Sequence, residues 1–136
     1  MEYNKYKIGL CDVFTLALHN ITKLRIGIIR AYYQDDFMEE DDDLAFVNCH
    51  AVILPNDDNN KIWFDVDGYH TEINIKNFYN IPENSTLVLD EVSKEELETS
   101  FTMENINEKD LEEAYDFIYK NNILDDLKQN FLVTRF

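Results

Sequence analysis

One thiol, one imidazole and two carboxylates, Cys11, His50, Asp65 and Asp67, have the types and the chain order of a nucleophilic constellation. A cysteine thiolate attacks a carbonyl carbon, an imidazole holds it as an ion pair and later protonates the leaving group, and a carboxylate fixes the imidazole's tautomer and orientation. A thiol that opens a helix beside an imidazolium is favoured as the thiolate, and the unbonded N–H at the same helix start can donate to an oxyanion. Taken singly, Cys11 reads as a small core hydrophobe and His50 as a hydrogen-bonded core histidine. It is their order, each on an element able to present it, that points to chemistry.

The presenting elements can be read from periodicity. From Cys11 to Leu24, apolar residues recur at Cys11, Phe14, Leu18 and Ile21, with Val13, Leu16 and Ala17 widening the stripe. This spacing predicts a largely buried helix, with Asp12 in its first turn at the positive end of the helix dipole. His19 is expected to face solvent. Residues 50–54, HAVIL, and 62–67, IWFDVD, read as the two arms of a hairpin joined by a polar loop from Asn56 to Lys61. In an antiparallel pair the start of the first arm lies beside the end of the second, so His50 meets Asp65 or Asp67. Both aspartates have the same strand parity, and the hairpin register decides between them. Cys49, one residue before His50, is expected to point to the opposite face as a core residue.

Further strands are predicted over residues 25–33, 44–54 and 86–92, with residues 69–79 undecided between helix and strand. Ser93 with Glu96 forms a capping box that starts a short helix. Asn107 caps a better-marked helix whose apolar face is Leu111, Ala114, Tyr115, Ile118 and Tyr119. A tail from Ile123 to Phe136 keeps helical spacing at Ile123, Leu124, Leu127 and Phe131.

At 136 residues, with 45% hydrophobic and 13% aromatic residues, the chain can bury one core, and a single α+β domain spanning 1–136 is expected. No apolar run approaches the ~18 residues of a membrane span, and the first residues lack the apolar core of a signal peptide, so a cytoplasmic protein is expected. The two cysteines are too few for a disulfide framework and read as thiols. The net charge of -16 argues against direct nucleic-acid binding and against anionic membrane surfaces. It suits solubility, or a surface that occupies a basic groove on a partner. Seven of the nine residues from Asp35 to Asp43 are acidic and read as a self-repelling loop; without EF-hand spacing or its glycine they do not make a calcium site. Cys49, His50, His70 and Asp67 lack the spacing of a zinc site, and no metal or cofactor is expected.

Three motifs in order resemble a known arrangement. Gly9, Cys11, Phe14, Ala17 and Leu18 follow G-x-C-x-x-F-x-x-A-L; His50, Ala51, Val52 and Pro55 approximate H-A-x-V-x-x-P, with the valine and the proline each one residue nearer the histidine; Trp63, Asp65 and Gly68 give an aromatic residue before x-D-x-x-G. The chain is similar to small, uncharacterised bacterial and phage proteins with this pattern, and resembles the papain-like, or transglutaminase-like, cysteine enzyme fold. That resemblance covers roughly the first 75 residues. It implies a central N-terminal helix packed on an antiparallel sheet, with helices following, and a Cys11, His50, Asp65 triad with Asp67 in reserve. Many papain-like enzymes complete the oxyanion hole with a glutamine upstream of the cysteine; residues 1–10 contain none, leaving Asn4 or Gln34 as substitutes.

The function expected is a cysteine hydrolase of peptidase or amidase type, working through an acyl-thioester on a peptide or other amide-containing substrate. The other expectation is a non-catalytic acidic protein, of the kind phages encode, that occupies a basic surface on a host nucleic-acid-binding or defence protein. A structural subunit of a larger assembly is a third.

Overall fold

A computed structural model describes residues 5–7, 9–34, 44–55, 61–74, 78, 81–101 and 106–128 of the chain. The acidic run, most of the expected hairpin loop, Asn4 and the apolar tail beyond residue 128 lie outside the described residues. The architecture is α+β. Helix α1 (Cys11–Thr22) leads into strands β1 (Arg25–Tyr33), β2 (Ala45–Leu54), β3 (Trp63–Asp65), β4 (Gly68–His70) and β5 (Thr86–Val92). Helices α2 (Lys94–Ser100), α3 (Glu108–Lys120) and α4 (Ile123–Lys128) follow. The strands form one sheet of order β4-β3-β2-β1-β5, and every neighbouring pair is antiparallel. Among the described residues no helix is long and apolar enough to cross a membrane.

The first helix packs on the sheet because its sequence leaves it few polar faces. Every residue from Cys11 to Leu18 is buried. Phe14, Ala17 and Leu18 share a cluster with Ile53, Phe64 and, from the C-terminal helices, Ala114, Ile118 and Leu127. Cys11 and Leu16 share another with Ile26, Ile28, Ala51, Val92 and Leu97. Full burial of a side chain such as Leu18 or Phe14 contributes roughly 1.5–3 kcal/mol, so this helix carries much of the core. The other face of the sheet gathers Ile29, Val52, Leu54 and Trp63, with Cys49, Ile73, Phe78 and Leu89 against them. A Cβ at Gly27 would meet Leu89 Cδ1 at 2.9 Å and Leu54 at 3.2 Å, so a larger residue there would have to push these leucine side chains aside.

Helix ends follow local chemistry, with some departures from expectation. Leu10 offers no side-chain cap to α1, and Asp12 accepts from the Val13 N–H at 2.9 Å instead. At the other end Lys23 takes a left-handed conformation, φ 63°, and returns its N–H to His19 O at 2.7 Å. His19 does not simply face solvent: it is half-buried, with Nδ1 donating to Leu24 O at 2.7 Å. The Ser93 hydroxyl accepts from the Glu96 N–H at 3.1 Å, as a capping residue should. The reciprocal half of the box is replaced, because the Glu96 carboxylate pairs with Arg30. Asn107 accepts from the Lys109 and Asp110 N–H groups and starts α3. On α3, Ala114, Phe117 and Ile118 are buried, whereas Tyr119 is 60% exposed and off the apolar face assigned to it. Of the undecided segment, residues 71–74 have neither helix nor strand.

Candidate active site

The thiol of Cys11 stands at the first position of α1, where the initial N–H groups have no intrahelical acceptor. Phe14 N–H donates to Leu10 O, Val13 N–H to Asp12 Oδ1, and the Asp12 carboxylate also takes its own N–H. Among the described residues no acceptor takes the Cys11 N–H. Burial of Asp12 raises its carboxyl pKa, against those two backbone bonds that lower it.

His50 is presented by an irregularity in β2. The β1–β2 register runs from Arg25↔Leu54 to Ile29↔His50, then resumes at Arg30↔Asn48, so Cys49 is an extra residue. At such a bulge the alternation of side chains breaks. Cys49 therefore does not point opposite to His50: it packs with the Trp63 cluster, and the His50 ring also meets Trp63 and Phe78, with centroids 6.0 and 6.2 Å away.

The carboxylate is chosen by register and by a turn. β2 pairs β3 at Ile53↔Phe64; continued along the strands, that register would set Asp67 directly opposite His50. The second arm ends before reaching it. It folds into its own hairpin, β3–β4, paired at Trp63↔His70, Phe64↔Tyr69 and Asp65↔Gly68, with Gly68 at φ 107°. Asp67 is carried into the turn, where its carboxylate lies 3.4 Å from Lys7 Nζ. Asp65, the diagonal neighbour, faces the imidazole: His50 Nε2 lies 2.8 Å from Asp65 Oδ2. A carboxylate only accepts, so Nε2 carries the proton, and Nδ1 is left for the thiol.

Cys11, His50 and Asp65 are 4%, 6% and 5% exposed. Burial lowers the His50 pKa, but hydrogen bonds to Asp65 and Cys11 and the charges of both outweigh it and raise it to about 9. At neutral pH the ring is therefore an imidazolium. Burial likewise pushes Asp65 up, and the hydrogen bonds and charges of His50 and His70 turn the balance, so the carboxyl ends below its ordinary value.

His70 is the member the sequence reading missed. Its Nε2 lies 2.8 Å from Asp65 Oδ1, which also accepts the Asp67 N–H at 2.9 Å. The signal was present: a turn centred on residues 66 and 67 places a histidine two residues after Gly68 opposite Trp63. Of the proposed oxyanion donors, Gln34 is not brought in. It follows Tyr33, five residues along the chain from the Ile29 that pairs with His50, or about 17 Å at ~3.4 Å per strand residue. Among the described residues no group of three or more His, Cys, Asp or Glu side chains is arranged to hold a metal ion.

Comparison of the chain with protein-family models, with curated proteins and with solved structures found no match.

Proposed function

We propose that the chain is a cysteine-nucleophile hydrolase of peptidase or amidase type, with a papain-like arrangement of its first helix and sheet. The reading rests on one observation: the first residue of α1 is a cysteine in contact with an imidazole that is itself bound to a buried carboxylate. In this mechanism the Cys11 thiolate adds to the carbonyl carbon of an amide, ester or isopeptide bond. The Cys11 N–H donates to the oxyanion that forms. His50 gives its Nδ1 proton to the leaving amine or alcohol as the C–N or C–O bond breaks, leaving a thioester. Water then adds to the thioester and passes a proton to His50; collapse releases the acid and returns thiolate and imidazolium. Asp65 keeps Nε2 protonated, so that Nδ1 is the atom that exchanges protons.

The test is the rate at which iodoacetamide alkylates Cys11 as a function of pH. The reagent is small, which suits a thiol with 4% exposure. Alkylation is expected at neutral pH, well below the range where a free thiol of pKa ~8.5 reacts, and His50→Ala is expected to slow it about tenfold or more. Slow alkylation indifferent to His50 would remove the nucleophile.

The net charge of -16 favours a second reading, an acidic protein that covers a basic surface of its partner. That reading requires nothing of Cys11, so a reactive thiol separates the two.

A further inference from the structure

We propose that His70 is a positioning residue of this site: by donating from Nε2 to Asp65 Oδ1, it holds the carboxylate so that Oδ2 stays on His50. The inference rests on the proposed triad for its functional meaning, and on the geometry around Asp65 for its content.

Asp65 is a buried carboxylate with its two oxygens divided between tasks. Oδ2 receives His50 at 2.8 Å; Oδ1 receives His70 at 2.8 Å and the Asp67 N–H at 2.9 Å. A carboxylate anchored by one backbone donor can pivot about that bond, whereas a second donor on the same oxygen fixes the direction of the other lobe. His70 is itself fixed. Strand pairing sets it opposite Trp63, and its ring stacks on the indole with centroids 4.1 Å apart and planes 16° apart. The same indole meets the His50 ring nearly edge-on, at 76°. Trp63 thus orients both imidazoles on one carboxylate. His70 differs from His50 in access: its side chain is 31% exposed and that of His50 7%. Its place in the chain of contacts is behind Asp65, which makes it a positioning group rather than a catalytic one. Besides His70, the ionisable group acting on the His50–Asp65 pair among the described residues is Cys11, from the first turn of α1.

Two substitutions separate the donor from the ring. His70→Phe keeps an aromatic ring against Trp63 and removes the donor; His70→Gln keeps an N–H at nearly the reach of Nε2 and removes the ring. The readout is the titration midpoint of His50, followed by NMR of its ring protons in the full-length protein. For His70→Phe the midpoint is expected to fall by about one unit, a tenfold loss in proton affinity, because Asp65 leaves its aligned position. For His70→Gln it is expected to stay near that of the native chain. A midpoint that is unmoved or raised in His70→Phe would overturn the proposal, since a group that only draws charge from Asp65 strengthens the His50 bond when it is lost. An equal fall in both variants would also overturn it, because an N–H donor kept at this position would then not keep the midpoint. If His70→Phe fails to fold, His70→Leu is compared with His70→Gln: both lack the ring and only Gln keeps the N–H, so a fall in Leu alone is required. The NMR midpoint does not need Cys11 to react. Inert Cys11 with the expected His70 response would withdraw the hydrolase and keep the positioning role, and reactive Cys11 with no response would do the opposite.

Discussion

Two polar networks flank the bulge at Cys49, and they are built to opposite ends. On one side, Arg30 donates from Nε to Asn48 at 2.9 Å, from one terminal nitrogen to Asp90 at 3.2 Å and from the other to Glu96. Asn48 passes the network on to Ser100 O at 3.0 Å, and the guanidinium lies over the Phe46 ring at 4.5 Å. On the other side stand Cys11, His50, Asp65 and His70. The arginine network is closed: a permanent cation with its donors matched to acceptors, holding β5 and α2 to the centre of the sheet. The histidine network is open at Cys11 and turns on a group that can lose its proton. Satisfied donors around a charge that never titrates describe a clasp; a titratable ring held between an acceptor and a thiol describes a device that can exchange a proton.

The largest effect expected from this contrast is in the dependence of stability on pH. His50 has a folded pKa of about 9 against an ordinary 6.5. The folded chain therefore binds that proton more tightly, and the resulting stability is full below pH 6.5 and lost as pH rises through 9. Its size is on the order of 3 kcal/mol, from ~1.4 kcal/mol per unit. Urea denaturation between pH 6 and 9.5 should show this alkaline fall, and Asp65→Asn should shrink it. An unchanged slope in Asp65→Asn would mean that the carboxylate does not hold the imidazolium. The Arg30 guanidinium, which burial pulls down but the bonds to Glu96, Asp90 and Tyr32 carry above its ordinary value, puts no titration in this window. The Tyr69 phenol, raised by burial to about 12, loses its contribution only between about pH 10 and 12.

Next in size is Arg30→Met. Removing one partner of a fully buried ion pair costs roughly 3–5 kcal/mol. Here Asp90 and Glu96 keep 28% and 47% exposure and can return to water, so about 2 kcal/mol is expected. The loss should lower the whole pH curve without changing its alkaline slope, and the alkylation rate of Cys11 in the folded protein should be unaffected. A changed slope would show that the two networks are coupled across the bulge.

What the sequence revealed of these two regions depends on how far each feature reaches along the chain. The stripe from Phe14 to Leu18, the Ser93 and Asn107 caps and the β-branched run after Arg25 are local, and each is legible because adjacent residues carry the whole signal. Cys11, His50 and Asp65 were legible as types in order. Strand parity left Asp65 and Asp67 open and only the D-x-x-G resemblance preferred Asp65, because the geometry behind the choice depends on the Ile53↔Phe64 register and on where the next hairpin turns. The bulge has no glycine or proline to mark it; it exists because Ile29 and Arg30 pair with His50 and Asn48. Arg30 read as a strand residue, since its partners Asp90 and Glu96 are 60 and 66 residues away. His70 was weighed only as a metal ligand, and its bond to Asp65 is visible only once the turn is known.

The smallest effect is expected at the bulge residue itself. Cys49 is half-buried, burial pushes its thiol pKa above the ordinary value, and its thiol turns to Val47 O rather than to Asp65 or Arg30. At neutral pH a thiol held above its ordinary pKa stays almost wholly protonated, so Cys49 should alkylate slowly. Cys49→Ala removes one sulfur from a half-buried site and is expected to cost about 0.5–1 kcal/mol. Mass spectrometry of the alkylated chain should then show the same fast phase as the native protein, assigned to Cys11. Loss of the fast phase in Cys49→Ala would place the reactive thiol on the strand rather than on the helix. The two networks would then have to be reconsidered together, because the residue that separates them would be the one that reacts.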